Sequence, residues 1–193
     1  MRLIGMLDSP YVRRVAISLD LLGIAYEHVN LSVFGDFDAI EAVNPLVKVP
    51  TLVTNDGVTL MDSTLILLHA EALSGHRIMP AGDARALAAI GLALAAAEKA
   101  VQIVYERRLR PAEKQFAGWL TRVERQVRGG FRALDAATDP DGALDHAGVT
   151  TACVWRFATD MIGDIITPAA HPALAALSAQ AEATEAFRRR PPE

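Results

Sequence analysis

Residues 44–64 read NPLVKVPTLVTNDGVTLMDST, and this stretch decides how the N-terminal part of the chain folds. Its middle holds two short runs typical of strands, 51–54 and 58–61, separated by Asn55-Asp56-Gly57. That tripeptide favours a tight hairpin turn. Asp62-Ser63 then provides natural capping residues for a following helix. The stretch therefore predicts an antiparallel hairpin followed by a covering helix.

The residues before this stretch alternate between strand-like and helix-like segments. Ser9 is a natural N-cap, Pro10 suits the first position of a helix, and Gly23 can end that helix. Apolar periodicity and turn residues predict strands over 2–7 and 26–31 and helices over 11–22 and 36–43. The order of elements predicts an α/β domain over residues 1–77, in which a βαβ unit with a parallel strand pair precedes the hairpin.

The rest of the chain predicts helices only. Residues 76–82 have the composition of a linker, and alanine, a strong helix former, is abundant after residue 83. Asp83 can cap the first of these helices and Thr150 the third. The predicted helices cover residues 84–109, a segment ending near 137, 150–166 and 172–187. The chain therefore divides into the α/β domain and an all-α domain over residues 83–193.

The bulk composition argues against several functions. The net charge is −4 without a long basic stripe, which disfavours nucleic acid, and Arg188-Arg189-Arg190 is interpreted as a solvated tail. The five histidines lack metal-ligand spacing, so no metal is expected. The single cysteine, Cys153, suits a reducing compartment, and neither a signal peptide nor an apolar run of about 20 residues is evident. We therefore expect a cytoplasmic protein without a membrane partner.

Ser9 is the first residue with a potential chemical role. As a plain N-cap it needs no further function. The same position also lies where a helix offers free N–H groups and the positive end of its dipole, and these stabilise an anion such as a thiolate. The residue and its spacing leave both interpretations open.

Two further positions allow two interpretations each. The Val49–Pro50 bond is either an ordinary trans bond or a cis bond that turns the Val49 N–H and C=O toward an extended peptide. Asp62 and Ser63 are either helix caps or a binding site for an α-amino-acid head group. In that site the helix N-terminus and Ser63 would meet the carboxylate, and Asp62 the ammonium.

In combination these stretches resemble the glutathione S-transferase family, and its bacterial members in particular. The likeness is carried by SPYVRRV at 9–15, NPLVKVPTL at 44–52, LMDST at 60–64 and HPALAAL at 171–177. It covers nearly the whole chain. It implies a thioredoxin-like N-terminal domain, an all-helical second domain, a homodimer, and glutathione as co-substrate.

The resemblance also implies which residues bind glutathione. Val49, held by a cis Pro50, would pair with the cysteinyl backbone. Asp62 and Ser63 would hold the γ-glutamyl end. Lys48 is placed to meet the glycyl carboxylate, although a solvated lysine explains it nearly as well.

Ser9 is the predicted catalytic residue, because the resemblance implies that its hydroxyl hydrogen-bonds the glutathione sulfur. The leading hypothesis is a serine-type transferase that activates the thiol for attack on a hydrophobic electrophile, in detoxification or catabolism. The alternatives are a glutathione-dependent isomerase or dehalogenase on the same fold, and a non-catalytic binding protein. Tyr105 and Arg108 are late on the helix that would face the electrophile, although Tyr105 is also explained by core packing.

Two positions depart from the family pattern. Val47 stands where many relatives have glycine, which would reshape the loop before Lys48. Cys153 stands where the third helix of the second domain often carries the acid of a capping box, so a weaker helix start is expected there. Cys153 itself is expected to be a small buried residue.

Overall fold

The structure is a computed structural model that describes residues 1–80 and 82–192. It contains two compact units. Among the described residues, the first comprises 1–80 and 182–192, and the second is Gly82–Ala181. The sequence predicted a second domain over 83–193, but in the structure the last residues group with the first unit. The contacts responsible join residues about 170 positions apart, beyond the reach of local sequence patterns.

The first unit contains a four-stranded sheet with helices. Its elements are β1 (Arg2–Ile4), α1 (Pro10–Leu21), β2 (Glu27–Val29), α2 (Phe37–Glu41), β3 (Thr51–Val53), β4 (Thr59–Leu60) and α3 (Ser63–Ser74). The strand order is β2-β1-β3-β4, with β1 parallel to β2 and antiparallel to β3. This confirms the predicted thioredoxin-like domain, in which a βαβ unit is joined to an antiparallel hairpin.

The strand register brings three chain segments to one edge of the sheet. Ile4 pairs with Thr51, and Leu52 pairs with Leu60. The ends of β1 and β4 therefore lie beside the beginning of β3. The core beneath them is apolar and includes Leu3, Val12, Val15, Leu19, Leu52, Ile66 and Leu67, each fully buried. The loops leaving this edge carry all the predicted site residues.

The second unit is helical. Its helices are α4 (Ala84–Leu109), α5 (Ala117–Ala137), α6 (His146–Ile162) and α7 (Pro172–Glu182), and a short α8 (Glu185–Arg188) follows in the first unit. The bounds predicted for α4 are confirmed, and Asp83 caps it by accepting hydrogen bonds from Arg85 N and Ala86 N. A Cβ at Gly130 would meet Ala96 Cβ at 3.3 Å, so α5 packs closely on α4 there.

The predicted start of the third helix was wrong. The helix α6 begins at His146, and its cap is Asp145, which accepts a hydrogen bond from Gly148 N at 2.9 Å. Thr150 lies inside the helix and donates to His146 O. Because Asp145 already caps the helix, Cys153 does not weaken its start. Cys153 is buried, as expected.

From the sequence we expect no apolar run long enough to span a membrane, and the helix α4 corrects this expectation. It has 26 residues, and an 18-residue window within it has a mean hydropathy of 1.7, so by length and composition alone it could cross a membrane. Buried helices of globular proteins meet the same criterion. The buried face of α4 is built largely from alanines, namely Ala93, Ala96, Ala97 and Ala100, and it packs against α5 and α6.

Candidate functional site

Ser9 is the N-cap of α1, as predicted. Its backbone is extended, with φ −70° and ψ 122°, and its carbonyl accepts the Arg13 N–H at 2.9 Å. The Ser9 Oγ accepts the Val12 N–H at 3.4 Å, which is long for a hydrogen bond. The side chain is half-buried. The hydroxyl proton is therefore available to donate while Ser9 still begins the helix.

Gly5 is a part of the site that sequence reasoning missed. Its φ is 134°, a conformation that side chains disfavour. A Cβ at this position would lie 2.6 Å from Val12 Cγ2 and 2.8 Å from Val49 Cβ. Gly5 therefore lets the loop before β3 approach the start of α1. An isolated glycine at a strand end was the available signal.

The Val49–Pro50 peptide bond is cis, which agrees with the functional interpretation of this pair. Pro50 is buried, Val49 is half-buried and Lys48 is exposed. Within the described residues, the Val49 N–H and C=O make no hydrogen bond to the protein. Both groups are therefore available to an extended peptide.

Asn44 holds the loop that carries Lys48 and Val49. It is fully buried, and its Nδ2 donates to Thr51 Oγ1 at 2.8 Å and to Lys48 O at 3.1 Å. Its Oδ1 accepts the Leu46 N–H at 3.1 Å. Sequence reasoning quoted Asn44 within a motif but gave it no role, because an asparagine before proline is typical of any turn.

Val47 adopts a left-handed backbone conformation, with φ 49°. This conformation costs a β-branched residue about 1–2 kcal/mol and suits glycine. The position where relatives are expected to have glycine is thus a position whose backbone favours glycine. Val47 keeps the loop path at an energetic cost.

Asp62 and Ser63 lie at the start of α3. Asp62 is exposed, and its Oδ1 accepts the N–H groups of Thr64 at 2.8 Å and Leu65 at 3.3 Å. It is therefore the helix cap, and its second carboxylate oxygen faces outward from these bonds. The Met61–Asp62 peptide bond is cis, which the sequence did not predict.

Ser63 is buried and connects α3 to α1. Its Oγ accepts a hydrogen bond from Arg14 Nη1 at 2.9 Å, and Arg14 is fully buried. Arg14 also donates to Thr64 Oγ1 at 3.3 Å. A guanidinium thus lies beside the α3 N-terminus, and both favour an anion there. Sequence reasoning missed Arg14, since nothing in the pattern separates it from a solvated arginine.

The residues proposed to face the electrophile lie in the second unit. Tyr105 is 40% exposed, so core packing does not explain it, and burial of its remaining surface raises the pKa of its phenol. It lines a surface pocket of about 390 Å³ with Leu109 and Trp119. Arg108 donates to Met161 Sδ at 3.1 Å.

No group of three or more histidine, cysteine, aspartate or glutamate side chains that could hold a metal ion occurs in residues 1–80 and 82–192. The polar groups at the sheet edge are a serine hydroxyl, two helix N-termini, a free backbone segment, a carboxylate and two cations. This set suits a small molecule that carries both carboxylates and an ammonium.

Comparisons with known proteins agree with this architecture. Residues 3–77 match the model of the glutathione S-transferase N-terminal domain. Over 74 residues the chain is 36% identical to the uncharacterized GST-like protein YibF of Escherichia coli, a match covering 38% of this chain and 37% of that protein. The curated relative is thus matched over little more than a third of its length.

Solved structures extend the likeness to the whole chain. A glutathione S-transferase from Methylobacterium radiotolerans, in complex with glutathione sulfonate, superposes with a TM-score of 0.89 at 25% identity, covering 99% of this chain and 94% of that one. A glutathione transferase family member from Pseudomonas fluorescens Pf-5, with bound glutathione, gives 0.88 at 27% identity, covering 100% and 98%.

The fold and site thus define a thioredoxin-like domain joined to a helical unit. Residues 3–77 match the glutathione S-transferase N-terminal domain family, and the chain over its length shares the fold of solved glutathione S-transferases.

Proposed function

We propose that the protein binds glutathione at the edge of the sheet and activates its thiol through Ser9 for attack on a hydrophobic electrophile. The observation that carries the proposal is the Ser9 hydroxyl at the α1 N-terminus. Its capping contact, 3.4 Å to Val12 N, is long, and its proton is free to donate. Asp83 and Asp145, which have no proposed role beyond capping, accept shorter bonds from their helices, at 2.9 Å.

The stabilisation that Ser9 and the helix N-terminus can give a thiolate is large enough to lower the pKa of the glutathione thiol. A free thiol has a pKa of about 8.5, and lowering it by about two needs roughly 2.7 kcal/mol of selective thiolate stabilisation. A helix N-terminus contributes about 0.3–1 kcal/mol, and a hydrogen bond to a charged group about 1.5–3 kcal/mol. Ser9 at the start of α1 supplies both contributions, whereas either alone falls short or barely suffices.

The remaining groups fit the other parts of glutathione. The free N–H and C=O of Val49, next to Pro50, would pair with the cysteinyl backbone as an added strand does. The outward oxygen of Asp62 suits the γ-glutamyl ammonium, and Ser63 at the α3 N-terminus suits its carboxylate. Exposed Lys48 suits the glycyl carboxylate. Four solved structures of three relatives contain glutathione or a derivative, which supports this assignment.

The chemistry that follows is a substitution or addition at the electrophile. The thiol gives up its proton to water, and the sulfur forms a bond to the electrophilic carbon. In a substitution the leaving group departs with the electrons of its own bond. In an addition the π electrons move to the neighbouring atom, which takes a proton from water. An isomerase or dehalogenase would use the same activated thiol on a different second substrate. Because the curated relatives are matched over only 74 and 67 residues, the sequence likeness does not select among these reactions. We also propose that the protein works in the reducing cytoplasm, where its single cysteine stays a thiol.

A homodimer is part of the proposal. Val58 beside β4 and Leu65, Leu68 and Leu73 of α3 are 46–55% exposed, so an apolar surface lies open on the first unit. We propose that these exposed apolar side chains contribute to the interface between two copies of the chain. Sedimentation equilibrium should give twice the chain mass of 20.7 kDa. A single chain at all concentrations used for activity would contradict the dimer.

Calorimetric titration with glutathione, followed by turnover of a panel of hydrophobic electrophiles, tests the proposed function. We expect Asp62→Asn to weaken binding, and Ser9→Ala to reduce turnover by about 10²-fold or more with little change in binding, because only Ser9 is proposed to act on the sulfur. Failure of the wild-type protein to bind glutathione would refute the proposal. Binding without turnover of any electrophile would instead favour the non-catalytic alternative.

A further inference from the structure

The C-terminal segment 182–190 is bound to α1 by two pairs of charged side chains. Glu182 accepts hydrogen bonds from both terminal nitrogens of Arg13, at 2.5 and 2.7 Å. Arg190 donates to both oxygens of Asp20, at 2.6 and 2.9 Å. The segment thus contacts α1 near its start, at Arg13, and near its end, at Asp20. Arg190 is therefore not a solvated residue, which corrects the interpretation of the basic run for this one position.

The two pairs are connected to each other and partly buried. Arg13 Nε donates to the backbone O of Arg190 at 2.7 Å, so one guanidinium contacts both ends of the segment. The Arg13 side chain is 2% exposed and Asp20 and Arg190 about a fifth to a quarter. Bidentate pairs shielded in this way are stronger and more directional than surface ion pairs.

Aromatic rings complete the arrangement. The Arg13 guanidinium lies 5.2 Å from the centre of the Phe187 ring, and Arg190 lies 5.0 Å from that of Tyr26. Burial, aided by the charge of Asp20, raises the pKa of the Tyr26 phenol, so this ring stays neutral under the guanidinium. The segment is thus fixed against the first unit by its backbone, its charges and its rings together.

This arrangement is connected through Arg13 to the turn that carries Ser9. The Arg13 N–H donates to Ser9 O at 2.9 Å, so Arg13 belongs to the turn that Ser9 begins. The long contact from Val12 N fixes the Ser9 hydroxyl only weakly. The position of the hydroxyl therefore depends on the placement of α1 as a whole, and a hydrogen bond to a substrate atom weakens steeply with misplacement.

We propose that the segment 182–190 positions Ser9 for thiol activation, with Glu182 and Arg190, which hold the two ends of α1, as its positioning residues. The inference rests on the proposed function, since it assigns a role in the reaction to residues outside the binding site. The competing explanation is that these pairs only fasten the end of the chain and contribute stability.

Comparison of Arg190→Ala with Arg189→Ala separates the two explanations. Arg189 is a matched control, because it lies in the same segment, is exposed, and pairs with Glu185 of that segment rather than with α1. The measurement is the pH dependence of thiolate absorbance for glutathione bound at saturation, under conditions where circular dichroism shows each variant folded.

We expect Arg190→Ala to raise the pKa of the bound thiol and leave about three- to tenfold less thiolate at neutral pH, with glutathione affinity changed less than about twofold. Arg189→Ala should match the wild-type protein. Arg190→Lys keeps the charge but loses the bidentate geometry, so it should recover part of the effect. If Arg190→Ala does not fold, Asp20→Asn weakens the same pair more mildly and should shift the thiol in the same direction.

An unchanged thiol pKa in folded Arg190→Ala or Asp20→Asn, whatever their loss of stability, would overturn the inference and leave the proposed function intact. If wild-type protein itself shows no lowered thiol pKa, the proposed function fails and the inference fails with it. The wild-type titration thus distinguishes the two failures.

Discussion

Ser9 and Asp145 both cap helices, one in each unit, but they do so differently. Asp145 accepts the Gly148 N–H at 2.9 Å and lies beside a buried helix with no predicted chemistry. Ser9 accepts its N–H at 3.4 Å, in a half-buried position next to a free backbone segment. The long capping bond of Ser9 leaves its hydroxyl available for the proposed chemistry, whereas Asp145 is held in a short bond that serves the fold.

The backbone around Ser9 is also less regular than the backbone of the second unit. Around Ser9 the backbone departs from regular geometry at Gly5 and Val47. Among the described residues of the second unit outside glycine, no positive φ occurs. The first unit thus holds its site by irregular loops, and the second unit is built from capped helices with a small-residue core.

The largest effect that would sharpen this contrast is expected at Gly5. We expect Gly5→Ala to lower the free energy of unfolding by about 3 kcal/mol or more, because the new Cβ would overlap Val12 and Val49 in a conformation that alanine disfavours. In α5, a Cβ at Gly129 meets nothing within 4 Å, so Gly129→Ala should stabilise the protein by about 0.5–1 kcal/mol. Urea unfolding of both variants checks this. Equal effects would show that the loop is not tightly packed.

The next effect concerns Asn44. Asn44→Ala should lower the free energy of unfolding by about 2–3 kcal/mol, because Thr51 and the 48–50 loop lose a buried hydrogen-bond donor. It should also weaken glutathione binding, since Val49 would lose its fixed position. Gln126→Ala, at an exposed position of α5, is the control and should change neither quantity. Retained stability and affinity in Asn44→Ala would mean that the loop holds its shape without this network.

The two caps themselves give the third comparison. Asp145→Ala should destabilise the protein by about 1–2 kcal/mol, and Ser9→Ala by less than about 1 kcal/mol, because the Ser9 capping bond is long. Thermal or urea unfolding of the two variants measures the difference. A larger loss for Ser9→Ala would identify Ser9 as a structural cap first.

The smallest expected effect is an increase in the free energy of unfolding. Val47→Gly should stabilise the protein by about 1 kcal/mol, since glycine adopts the φ of 49° without the cost that valine meets. Ala133→Gly, at an exposed position within α5, should do the opposite by about the same amount. Urea unfolding measures both changes. If Val47→Gly destabilises the protein instead, contacts of the valine side chain outweigh the cost of its left-handed backbone.

The sequence predicted the topology of the first unit and the bounds of α4, because both depend on local signals. The hairpin tripeptide at 55–57, the Ser9-Pro10 helix start and the Asp83 cap each act within a few residues. The early start of α6 was missed because Asp145 competed with Thr150 as a cap, and the stronger cap extended the helix.

The motifs of the candidate site are recognisable in the sequence, whereas the residues that support those motifs in the structure are not. Ser9, Val49, Pro50, Asp62 and Ser63 stand in recognisable stretches, and the register of β1, β3 and β4 brings those stretches to one edge of the sheet. Gly5, Asn44 and Arg14 act through contacts between distant segments, which no local pattern encodes. The pairing of α1 with residues 182–190 was missed for the same reason.

The most direct test of the account is the pKa of the thiol of bound glutathione, measured from thiolate absorbance against pH in wild-type protein and in Ser9→Ala. We predict that the wild-type value lies about two below that of free glutathione and that Ser9→Ala loses most of this difference. A lowered value that survives in Ser9→Ala would show that another group activates the thiol. An unshifted value in the wild-type protein would contradict thiol activation at this site altogether.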